Sequence, residues 1–105
     1  MAIVKPKVFS WNDTLIPTEG VVSFNVYYNL GNTVDYSAPK VNVPVVAGQS
    51  AYSLNIPAQL PISKDGTYTI GVSAVDAAGN ESDLAVITSP FDFTAPSAPT
   101  SLKVA

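Results

Sequence analysis

The chain contains no cysteine, no histidine and no arginine. The first absence removes disulfides, thiolate nucleophiles and cysteine-ligated metals together. It fits a reducing compartment, and equally any core that holds without covalent staples. Without histidine, acid–base chemistry near neutral pH loses its usual carrier, which leaves paired carboxylates or a buried lysine as the routes to catalysis. Charge is sparse as well. Lys5, Lys7, Lys40, Lys64 and Lys103 are scattered against eight carboxylates, for a net charge of −3. Nucleic-acid binding starts from a clustered basic face, so this balance argues against it, and against a polybasic contact with anionic lipid. No apolar run approaches the roughly 18 residues of a membrane span. Met1-Ala2-Ile3-Val4-Lys5-Pro6 lacks a basic start followed by an apolar stretch, so no signal peptide is read there.

What is present is apolar and periodic. Of 105 residues 47% are hydrophobic, too many for a disordered chain and enough for one core. Strand signals recur at short spacing with turn residues between them and no helical period. Lys5 to Trp11 is rich in β-formers and ends at Asn12-Asp13-Thr14. In Val21 to Tyr28, alternation puts Val22, Phe24, Val26 and Tyr28 on one face and Ser23, Asn25 and Tyr27 on the other. Lys40 to Val46 aligns Val41, Val43 and Val45, and Pro44, which donates no ladder hydrogen bond, predicts an edge. Ala51 to Ile56 aligns Tyr52, Leu54 and Ile56, and a proline-containing crossing runs from Pro57 to Ser63. Thr67 to Val75 turns Tyr68, Ile70, Val72 and Ala74 inward, and Asp83 to Thr88 forms the last strand after the turn Ala78-Gly79-Asn80. One apolar face per strand predicts an all-β, two-sheet antiparallel sandwich of about seven strands.

Chemistry-bearing residues are few. The carboxylates fall mostly at predicted turns, where Asp bonds the backbone for structural reasons, and no catalytic residue is assigned. The best oxygen cluster for a metal is Asp76, Asn80, Glu81 and Asp83. Its spacing is not that of a calcium loop, and Gly79-Asn80 is what a tight hairpin demands in any case. No glycine-rich phosphate loop is present, and no cofactor is expected. Asn12-Asp13-Thr14 and Asn80-Glu81-Ser82 are sequon triplets that matter only in a glycosylating secretory path.

Several stretches, taken in order, resemble a fibronectin type III domain, an immunoglobulin-like β-sandwich, over about residues 4 to 90. Trp11 stands where such domains end their second strand with tryptophan. Phe24-Asn25-Val26-Tyr27-Tyr28 resembles their third strand, and Tyr68-Thr69-Ile70-Gly71-Val72-Ser73-Ala74 matches their Tyr-x-Val-x-Val-x-Ala strand. Asp76-Ala77-Ala78-Gly79-Asn80-Glu81-Ser82 is similar to the hairpin that follows, in a form common in bacterial surface and secreted proteins. The resemblance implies structural roles for both large aromatics: Trp11 as core, Tyr68 as the corner tyrosine whose hydroxyl bonds back to the backbone. It also implies a noncatalytic module, a spacer or protein-docking unit in an extracellular or cell-envelope assembly, with a neighbouring domain or protein as partner. Its contact surface would be exposed loops or the Tyr27, Tyr36 side. The alternative of another class is a carbohydrate-binding module, which needs a coplanar exposed row among Trp11, Tyr27, Tyr36, Phe91 and Phe93.

Two departures from the pattern matter. Lys7 occupies the position, four before the tryptophan, that the family gives to an aliphatic residue, which predicts a bulge or a partly exposed edge. Too few residues precede Trp11 for the family's first strand. Residues 1–90 therefore read as the sandwich and residues 91–105 as a linker plus a strand-like segment. Within the latter, Thr94-Ala95-Pro96-Ser97-Ala98-Pro99-Thr100-Ser101-Leu102-Lys103-Val104 looks like the opening of such a domain. Three roles are open to Leu102 and Val104: they begin a following domain, fold back as the first strand of their own sandwich, or enter the vacant edge of another copy in head-to-tail self-association.

Overall fold

A computed structural model of the chain describes residues 2–104. Six strands and a single helical turn follow one another: β1 (Lys7–Asn12), α1 (Ile16–Glu19), β2 (Val21–Leu30), β3 (Lys40–Pro44), β4 (Ala51–Ile56), β5 (Gly66–Asp76) and β6 (Ala85–Phe91). They form two antiparallel sheets, β1-β4 and β3-β2-β5-β6, and the expected all-β sandwich is the fold. It is built from six strands where about seven were expected, because the C-terminal segment forms no strand among the described residues.

Period-2 alternation explains most of the packing. In β4, Tyr52, Leu54 and Ile56 are buried while the residues between them are exposed. In β5, Tyr68 and Ile70 face the same core. Pro44 ends β3 at the edge of the four-stranded sheet, where a missing N–H costs no ladder bond. In β2 the register against β5 shifts between Val21 and Ser23. That extra residue turns Val21 onto the core beside Phe24 and leaves Val22 outside, although simple alternation assigns Val22 inward. Between β4 and β5 the proline-containing crossing drops Leu60 and Ile62 into the core, both fully buried.

The connection from β1 to β2 holds a helical turn that four residues are too few to announce by periodicity. The Asp13 carboxylate accepts the Leu15 N–H, Pro17 sits in the first turn, and Gly20 closes the helix at φ 66° with its N–H on the Ile16 carbonyl. Lys7 causes no bulge, since β1 pairs with β4 without a break from Lys7↔Ile56 to Asn12↔Ala51. Its ammonium instead donates to the Asp92 carbonyl at 2.8 Å and lies over the Phe93 ring.

Candidate functional site

The most organised polar cluster lies on the outer face of the four-stranded sheet, and it corrects the reading of β2. Tyr27 is not a surface residue: it is 1% exposed, and Asn25 beside it is also buried. Two loops cover them. The β2–β3 connection lays Tyr36 edge-on against Tyr27, centroids 5.7 Å apart at 86°, and brings Val34 over β5, while Leu84 arrives from the β5–β6 hairpin. Gly71 makes this closeness possible, because a Cβ there would meet Val34 at 3.1 Å and Leu84 at 3.3 Å.

At the centre is Glu81. Its Oε2 accepts the Tyr27 hydroxyl at 2.5 Å, the Asn25 side-chain amide at 3.2 Å and the Ser73 hydroxyl. Asn42 extends the network by donating to Asn25 Oδ1 at 3.0 Å. Burial pushes the Glu81 carboxyl upward, but the three donors and the nearby Lys40 charge outweigh it and hold the group below its ordinary value. Burial, then the Glu81 hydrogen bond and charge, push the Tyr27 phenol up to about 12. An ionised carboxylate whose inner oxygen is already occupied is a poor base and a poor nucleophile. What it does here is clamp the β5–β6 hairpin onto the sheet.

The four residues singled out as an oxygen cluster are turned to different tasks. The Asp76 carboxylate accepts the N–H groups of Ala78 and Asn80 and the Asn80 side chain, shaping a turn in which Gly79 takes φ 87°. Those bonds hold its carboxyl below the ordinary range. Glu81 faces the sheet, and Asp83 lies near enough to Tyr36 for its charge to add to burial in raising that phenol. Among the described residues no group of three or more acidic, histidine or cysteine side chains is placed to hold a metal ion.

Trp11 is half-buried at the end of β1, with the rings of Phe9, Phe24 and Tyr52 all within 5.9 Å. Its indole N–H is buried without a hydrogen-bond partner among the described residues. It lines a cavity of about 190 Å³ that runs past Val72 and Ala74 to Ala85. Tyr68 packs in the core with its ring edge-on to Phe91. A hydroxyl tied to backbone beside the core is that of Tyr52, which accepts the Val46 N–H at 3.1 Å and donates to the Gln49 carbonyl at 2.9 Å. A larger open groove of about 610 Å³ lies at the same end of the sandwich, walled by Ile16, Pro17, Val21, Val45 and Val46.

At the opposite end the chain leaves β6 through a clamp. The Asp65 carboxylate accepts the Thr94 hydroxyl and the Phe93 N–H, which keep it below its ordinary pKa, and the Phe91 and Phe93 rings stack 6.0 Å apart. Beyond the clamp the segment projects: Leu102 is 81% exposed and Val104 wholly so. The fold-back arrangement of this segment is therefore not the one adopted.

No protein-family model matches the sequence, and no curated protein or solved structure matches the chain.

Proposed function

We propose that the chain is a noncatalytic module of the fibronectin type III kind, acting as a spacer or protein-docking unit in a larger surface or secreted assembly. The observation that carries this reading is the character of its exposed apolar surface. Apart from Tyr36, the large exposed apolar side chains are aliphatic, among them Val8 on β1, Val22 on β2, Val46 after β3, and Val86 and Ile87 on β6. Such surfaces suit protein contact more than the flat stacking of sugar rings. The aromatics meanwhile do not form a coplanar exposed row. Tyr27 and Phe91 are buried, Trp11 and Phe93 are half-buried, and Tyr36, at 51% exposure, stands alone with its hydroxyl on the Ser82 carbonyl. The side chains with chemical capability, Glu81, Asp76 and Asp65, are engaged in holding loops.

Affinity electrophoresis through gels containing soluble polysaccharides of several linkage types tests the reading. Unretarded migration in every gel is expected. Retardation abolished by Tyr36→Ala would overturn the reading in favour of carbohydrate binding.

A further inference from the structure

We propose that the open edge of β1 is a docking site for the C-terminal segment of a second copy of this chain, which adds Leu102 to Val104 as a strand antiparallel to β1. The inference rests on the reading of the chain as an interaction module and supplies its partner.

Three features of the site point this way. First, β1 is hydrogen-bonded to β4 alone, so its other edge carries unpaired N–H and C=O groups among the described residues. Second, the seam beside that edge is apolar and unfilled. Phe9 and Trp11 face inward yet are only half-buried, and Ile87 on β6, whose partner Ile70 is in the core, is 54% exposed. The cavity past Trp11 continues the same seam. Third, the segment has the form of the strand that would fit. Leu102 and Val104 share one face with Lys103 on the other, and Pro96 and Pro99 stiffen the approach.

Direction selects a second copy over the chain's own tail. Lys7, at the start of β1, touches Asp92 just past β6, so the tail departs from the end of the sandwich where β1 begins. A strand antiparallel to β1 must enter from the other end, near Asn12. The tail of a molecule stacked head to tail arrives there already travelling the right way. The clamp on Asp65 aims the segment outward, and the long axis of 69 Å against 29 and 17 Å across reflects that projection. Such a contact is heterologous, so copies close into a ring or continue as a filament.

Sedimentation equilibrium of the full chain, from micromolar to about 1 mM, tests this. The expected result is a mass that climbs with concentration through dimers to higher species, with association weakened more than about tenfold by Leu102→Asp. That variant still offers a vacant edge. A peptide of residues 95–104 added to it should therefore bind saturably and shift the fluorescence of Trp11, the single tryptophan. A wild-type chain monomeric throughout overturns the proposal, as does association indifferent to Leu102→Asp, or a dilute monomer in which the Leu102 amide resists exchange. Each of these leaves the module reading standing, whereas polysaccharide binding through Tyr36 would remove that reading and leave strand exchange untouched.

Discussion

Strands β1 and β4 form one sheet, alternate alike and each have a single hydrogen-bonded neighbour, yet their inward residues meet different fates. Tyr52, Leu54 and Ile56 of β4 are buried, whereas Phe9 and Trp11 of β1 are half-buried. The difference lies in what stands beside each strand. On the β4 side, Val43 and Val45 pack from β3 and the chain after it, Leu60 and Ile62 drop in from the following crossing, and the Tyr52 hydroxyl ties to Val46 and Gln49. On the β1 side no equivalent covers Ile87 among the described residues, and the buried Trp11 indole N–H finds no partner there. Pairing in a sheet thus gives a strand its register, while burial of its face depends on the chain that closes the flank.

The largest test of this contrast is a pair of core truncations read by chemical denaturation. Leu54→Ala should cost about 2–5 kcal/mol, the usual loss for a buried leucine. Phe9→Ala removes a larger side chain but should cost less, under about 2 kcal/mol, because its site is already partly open to solvent and water can fill the space it leaves. The reverse order would break the comparison. Next in size, Glu81→Ala strands the donors of Asn25, Tyr27 and Ser73 on a covered face and should cost about 1–3 kcal/mol. Glu81→Gln should recover part of that loss.

Stability should also fall at both ends of the pH scale. Asp65, Asp76 and Glu81 have carboxyls held below their ordinary values, so their contribution is complete above the ordinary carboxylate range, about pH 4, and is lost as pH falls through the lowered values. The Tyr27 phenol is displaced the other way. Its contribution is full below the ordinary tyrosine value of about 10 and is lost as pH rises toward about 12. Thermal melts across pH check both limbs, and Tyr27→Phe should flatten the alkaline one. The smallest effect belongs to the open flank: Ile87→Thr should change monomer stability by no more than about 0.5 kcal/mol.

Where one face of a strand meets one core, local sequence was sufficient. Tyr52, Leu54 and Ile56 were legible from alternation, Pro44 marked its edge, and Tyr68 to Ala74 announced the central strand. Where a second layer arrives from far along the chain, it was not. Asn25 and Tyr27 read as part of a solvent face because nothing near them shows that Glu81, 54 positions beyond Tyr27, returns to accept their donors. The shift at Val22 escaped for a related reason, since a bulge depends on the partner strand as much as on its own residues. The backbone-tied tyrosine was sought at Tyr68 by resemblance, while the loop that offers the acceptors lies beside Tyr52. Trp11 was expected in the core; it packs against Phe24 and Tyr52, but its half-covered state follows from the open flank, which composition does not reveal.

Residue-resolved amide hydrogen exchange in β1 of the dilute chain tests the open flank most directly. A strand paired on one side alone should show alternation, with every second amide protected by β4 and those between exchanging close to the rate of an unfolded chain. Uniform protection from Lys7 to Asn12 at a concentration where the chain is monomeric would contradict it, because it would mean that another strand already lies along that edge.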